Sequence, residues 1–153
     1  MVSQRWERWQ QERLALENRA LASEFPDFRF YDAATTEAYV EGWWTSNGGR
    51  RYRIRLQLAA GYPDVAPRVF IMDPFPLRGW GGKAIHRYGT SHNMHTWAST
   101  KSRATQLCTV RSEVWDPSWT LVQMITKAEL WILAYEFHCQ DGQPIAAYLR
   151  DYR

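Results

Sequence analysis

A thiol is the side chain best suited to attack an activated carbonyl at neutral pH, and this chain of 153 residues has two, Cys108 and Cys139. Cys108 lies in QLCTVRSEVWDPSW, Gln106 to Trp119. A polar stretch precedes it, and an Asp116-Pro117 helix start follows with Trp115 and Trp119 on either side. That placement argues for an open thiol. The competing reading is a packed one, since free cysteine is among the most buried residues. Cys139 ends an apolar helical run and reads as inert. Three histidines, His86, His92 and His95, come before Cys108. Their spacing fits no zinc pattern well, and there is no CxxC pair, so no metal is expected. Arg111 either favours the thiolate or is simply solvated. Asp116 reads as a helix cap, and His138 as a surface residue complementing the end of the helix dipole.

These side chains need elements to hold them. Ser3–Glu24 reads as a helix, with Trp6, Trp9, Leu16 and Ala20 near one stripe and Leu14 and Leu21 flanking it. Pro26 ends it, because the residue before proline is pushed out of the helical basin. Strands are predicted over Phe28–Tyr31, Glu37–Thr45, Arg50–Leu58 and Arg68–Met72. SNGG, Ser46 to Gly49, supplies a tight turn between the second and third. A helix followed by an antiparallel meander implies the α+β class. From Asp73 to Leu107 periodicity disappears in favour of Gly, Pro, Ser and Thr, which over such a length usually signals function or disorder. Thr120–His138 is a helix apolar on several sides and so largely buried, and QDG stops it. Pro144–Tyr152 reads as a last short helix.

The composition bounds the function. A 45% hydrophobic share fits one domain over residues 1–153 with a real core. No stretch is long and apolar enough to cross a membrane, and MVSQRWERWQQER lacks the apolar run of a signal peptide. Two cysteines make a poor disulfide framework, so a cytoplasmic setting is expected. The net charge of +3 is mild. Its densest basic cluster, GRRYRIR from Gly49 to Arg55, alternates arginines with Tyr52, Ile54, Leu56 and Leu58. That is a strand with one core face and one solvated face, available to an acidic protein partner. A nucleic-acid binder using the arginines and tryptophans is the rival reading, and its affinity would fall steeply with salt.

The order of parts resembles the ubiquitin-conjugating (E2) fold family. The matching stretches are YPDVAPRVFI (Tyr62–Ile71), QLC (Gln106–Cys108) and WDPSWTLVQMI (Trp115–Ile125). The tail LWILAYEFHCQDGQPI is similar to the prokaryotic E2-like branch associated with ubiquitin-like conjugation and antiphage defence loci. The resemblance implies a UBC-like fold: an N-terminal helix, a four-stranded meander, a long irregular active-site segment, a central buried helix and a short C-terminal helix. It implies that Cys108 receives the C-terminal glycine of a ubiquitin-like protein as a thioester and yields it to an amine on a target. No cofactor is implied at this step, since an upstream E1-like activating enzyme spends the ATP. The implied partners are the modifier, that activating enzyme and a protein target, among them a cyclic-nucleotide synthase; neither membrane nor nucleic acid is expected.

The departures matter as much. Eukaryotic members carry His-Pro-Asn shortly before the cysteine, and this chain has SHNMH (Ser91–His95) instead. His92, His95 and Asn93 are therefore the candidates for organising the site. Glu113 and Asp116 stand second as helpers of the incoming amine, alongside Arg111. Basic residues of the first helix, Arg5, Arg8 and Arg13, are candidates for docking the activating enzyme, or else an ordinary solvated face. A non-catalytic E2-like binding module, with Cys108 incidental, is the alternative. Trp115 and Trp119 are expected to pack the thiol's loop on the long helix.

Overall fold

The alternation around Tyr52 becomes the middle of a sheet. The computed structural model describes residues 4–88, 93–110 and 113–149. Its meander consists of β1 (Arg29–Tyr31), β2 (Tyr39–Thr45), β3 (Arg51–Gln57) and β4 (Arg68–Asp73). Each strand pairs antiparallel with the next, Val40 opposite Leu56 and Leu56 opposite Val69. Two more strands, β5 (Thr96–Trp97) and β6 (Thr105–Leu107), continue past β4 in the order β1-β2-β3-β4-β6-β5. The four-stranded meander thus lies inside a six-stranded antiparallel sheet. The added strands come from the stretch read as irregular, and two or three residues are too few for alternation to register.

Tyr52, Ile54 and Leu56 are wholly buried on the inner face. The arginines of β3 lie on the other face, where Arg51 stacks 4.6 Å over Trp43 and Arg55 3.8 Å over Tyr39. Glu41 pairs with Arg55 at 2.5 Å and Arg53 at 3.5 Å. Stacking and pairing keep like charges apart along one strand.

Two helices pack on the sheet: α1 (Arg8–Glu24) and α2 (Leu121–Asp141). The central helix starts one turn later than Asp116-Pro117 suggests, because Thr120 is its cap. The Thr120 hydroxyl accepts from Gln123 N at 3.1 Å, and Gln123 Oε1 accepts from Thr120 N at 2.8 Å. This reciprocal arrangement satisfies two amides at once. Asp116 instead accepts from Ser118 N at 2.8 Å and closes a turn ahead of the helix. That hydrogen bond holds its carboxyl below the ordinary range. Gly142 ends α2 with φ 76°. The short C-terminal helix is a single 3₁₀ turn, Ile145–Ala147; the last residues of Pro144–Tyr152 lie outside the described ones.

The buried face of α1 differs from the stripe read in the sequence. Trp9 and Leu16 are 50% and 61% exposed, while Gln10 and Glu17 are buried beside Leu14 and Leu21. Hydrogen bonding decides this. Gln10 Nε2 donates to the carbonyls of Ala60 and Tyr62 at 2.9 and 2.8 Å. Glu17 accepts from the first amide of α2, Leu121 N, at 2.7 Å. A helix face that must satisfy a neighbour's backbone takes polar residues inside, and hydrophobic periodicity cannot see that.

His138 is likewise buried, with 1% of its surface exposed. Its Nδ1 lies 2.7 Å from Gln143 O, which fixes the proton there and leaves Nε2 to accept from Trp80 N at 3.3 Å. A Cβ on Gly79 would sit 2.5 Å from that Nε2. This ring fastens the segment after β4 to the end of α2. His138→Ala should therefore cost about 2 kcal/mol in urea unfolding by orphaning two backbone groups. A change under about 0.5 kcal/mol, the usual surface value, would contradict the tethering role.

Candidate active site

The hairpin of β5 and β6 positions the thiol. β6 is fastened to β4 with Val69 opposite Leu107 and Phe70 opposite Gln106, and to β5 with Thr96 opposite Leu107. One step past β6, Cys108 N donates to His95 O at 2.8 Å. Across Gln106–Val110, every residue is buried except Cys108, which is half-buried. The chain there runs through the core's edge and turns one side chain, the thiol, toward solvent.

The opposing segment is held from below. Trp131, wholly buried in α2 and stacked 5.5 Å from Tyr135, donates its Nε1–H to Met94 O at 3.1 Å. Ala146 N donates to Asn93 O at 2.8 Å. Between these anchors and Cys108, His95 has φ 49°, in the left-handed region that non-glycine residues avoid. Such a conformation persists only where its surroundings over-determine it, and it gathers at functional sites. The structure therefore brings His95 and Cys108 together through the backbone, with the His95 side chain buried and Asn93 exposed. His92 and Arg111 lie outside the described residues.

Trp131→Phe keeps an aromatic ring in the core but removes the donor to Met94. If Cys108 carries an acyl group, this change should slow adduct formation there several-fold, and the lost indole ring and orphaned carbonyl should cost about 2 kcal/mol in unfolding. Equal slowing by a distant substitution of matched stability cost would argue against that coupling.

On the far side of the thiol, Trp115 donates Nε1–H to Pro63 O at 2.8 Å and packs edge-on against Trp119 at 5.8 Å. Tyr62 lies 6.5 Å from the Trp115 ring. The tryptophans thus pin the segment after Cys108 to the Tyr62-Pro63 corner. The sequence missed the agent that completes this, which is Arg13. Its guanidinium donates to Pro117 O and Trp119 O at 2.7 Å each, with Glu17 at 3.1 Å. Arg13 is therefore a structural clamp that uses three of its five N–H donors inside the fold. Arg5 and Arg8 are exposed, Arg8 beside Glu12 at 3.4 Å. Glu113 and Asp116 are both exposed. Cys139 sits at the other end of α2, its thiol donating to Arg78 O at 3.4 Å. Burial and that neighbouring thiol push the Tyr135 hydroxyl up to about 12. Among the described residues, no three His, Cys, Asp or Glu side chains cluster as a metal site.

A family model described as "Type II CBASS E2 protein" matches residues 17–144. The chain belongs to that family. The E2 resemblance is thereby made specific: this CBASS E2 has an E2-like role in CBASS antiphage defence, and its partners are those of a ubiquitin-like conjugation system. No curated protein and no solved structure matches the chain. No described helix of this CBASS E2 is long and apolar enough to cross a membrane.

Proposed function

We propose that this CBASS E2 carries a ubiquitin-like protein, or a similar C-terminal glycine, as a thioester on Cys108 and transfers it to an amine on a target. The carrying observation is the exposure pattern: Cys108 alone reaches solvent between buried neighbours, pinned to the strained His95. The Cys108 sulfur attacks the glycine carbonyl of a thioester held by the activating enzyme. A new C–S bond forms, the old one breaks, and the departing thiolate takes the proton. The amine of the target then attacks the same carbonyl, its nitrogen loses a proton, and Cys108 is released as thiolate.

In this reading His95 positions the nucleophile, since its carbonyl holds the Cys108 amide. That amide is consumed, so the oxyanion is held by other donors. Asn93, exposed next to it, and His92 are the side chains offered for that task. Glu113 and Asp116 are the exposed carboxylates offered to receive the amine's proton, and the hydrogen bond on Asp116 makes that one a weak base. Arg111 steadies the thiolate. Arg5 and Arg8 offer the activating enzyme a basic helix end. The acceptor includes the cyclic-nucleotide synthase of the same defence system, and the chain works in the cytoplasm.

Cys108→Ser tests the chemistry. With modifier, activating enzyme and ATP, the wild type should give an adduct that reductant removes, and the serine variant one that survives reductant but not alkali. Wild-type protein forming no adduct under conditions that charge the activating enzyme would favour the non-catalytic module.

A further inference from the structure

The hairpin that ends in Cys108 also walls a small pocket of about 240 Å³. Its apolar sides are Phe75, Ile85 and Trp97, and its rim carries His86, Lys101 and Arg103. No carboxylate lines it, and neither Lys101 nor Arg103 has an ion-pair partner among the described residues. Two such cations on the rim of one concavity invite an anion. Thr96 supports this. It is 6% exposed, lies in the pocket wall, and its hydroxyl is buried without a hydrogen-bond partner. A buried hydroxyl in that state is poised to donate.

The loop that carries Lys101 and Arg103 is braced. Gln106 Oε1 accepts from both the amide and hydroxyl of Thr100 at 3.0 and 3.1 Å, and Arg68 donates to the same hydroxyl at 3.0 Å. Ser99 donates its hydroxyl to Lys101 O at 2.7 Å. Arg103 is held at φ 57°, a left-handed conformation that re-aims the return of the loop. The volume falls just under the usual range for small-molecule sites and suits a single side chain. Gln106, in the pocket wall, is two residues from Cys108 and so at most about 7 Å away, and Arg103, five residues off across a turn, is at most about 18 Å away.

We infer that this pocket takes an acidic side chain, Asp or Glu, from the extended peptide tail delivered to Cys108, between the second and fifth residue before the reacting glycine. The inference rests on the thioester reading above and adds the tail's chemistry to it. The carboxylate meets Lys101 and Arg103 at the rim while its aliphatic stem lies against Trp97 and Ile85.

The probes are eight-residue peptides ending in a glycine thioester of a small thiol, with Glu or Gln placed in turn at each of those positions. Cys108 displaces the small thiol, which leaves with the proton, and intact mass reads the adduct. At one position Glu should acylate about tenfold faster than Gln, the effect of one charge-assisted hydrogen bond. The Lys101→Gln, Arg103→Gln double variant should bring the Glu peptide down to the Gln rate and leave the Gln peptide unchanged. Equal rates at every position, or a preference surviving in the double variant, would overturn the inference. If no peptide acylates Cys108, the thioester reading fails on its own. The pocket is then judged by titrating the peptide amides into Cys108→Ala protein. A Glu preference lost with the two cations upholds it, and equal affinities reject it. Free glutamate competing as strongly as the peptide would make this a small-anion site and sink the tail assignment.

Discussion

Cys108→Ala should leave no reducible adduct with a charged modifier, while Cys139→Ala should retain it. Both thiols are half-buried, so exposure alone does not separate them; their surroundings do. Cys139 ends a helix with its thiol hydrogen-bonded to Arg78 O and Tyr135 close by. An incoming tail would have to break that contact and displace the segment tied down by His138. Cys108 follows the β5–β6 hairpin at the margin of the sheet, with its backbone bonded to His95, where a tail would meet the sheet's margin and not a helix end. Loss of a covalent nucleophile removes the adduct to background. Neither alanine should move unfolding by more than about 1 kcal/mol, since each loses a half-buried sulfur and Arg78 O keeps its bond from the Tyr135 hydroxyl when the Cys139 thiol is gone. An adduct that persists in Cys108→Ala, or disappears only in Cys139→Ala, would remove the assignment.

Glu17→Ala is the most damaging change expected for stability. Its carboxylate, 4% exposed, accepts from Leu121 N at 2.7 Å and from Arg13 at 3.1 Å. Removing it orphans the first amide of α2 and leaves a mostly enclosed guanidinium without its counter-charge. Breaking a buried pair from one side costs about 3 kcal/mol, and Arg13's remaining bonds to Pro117 O and Trp119 O keep the figure at that lower end. Glu17→Gln retains an acceptor for Leu121 N and should cost about 1 kcal/mol. Urea unfolding of the three proteins checks the order. A Glu17→Ala variant as stable as wild type would mean that α2 begins without this contact.

Glu17 also shows where the sequence misleads. In α1 the eye groups Trp9 with Leu16, seven residues apart, yet both face solvent, whereas Gln10 and Glu17, also seven apart, face inward. The period is legible in either case; which stripe turns inward depends on backbone groups of Ala60, Tyr62 and Leu121 that arrive from distant parts of the chain. The same holds for His138, whose partners are Trp80 and Gln143.

The sequence by itself determined the meander, the long central helix, the turn residues that join them and the segment around Cys108. These are governed by local periodicity, by proline and glycine, and by motif order. Tertiary structure decided the β5–β6 hairpin, the use of Arg13 as a clamp, the pairing of Cys108 with His95 and the cationic pocket beside them. Each of those depends on residues far apart in the chain meeting at one place, where a buried amide or carbonyl must find a partner, and no local pattern encodes that meeting.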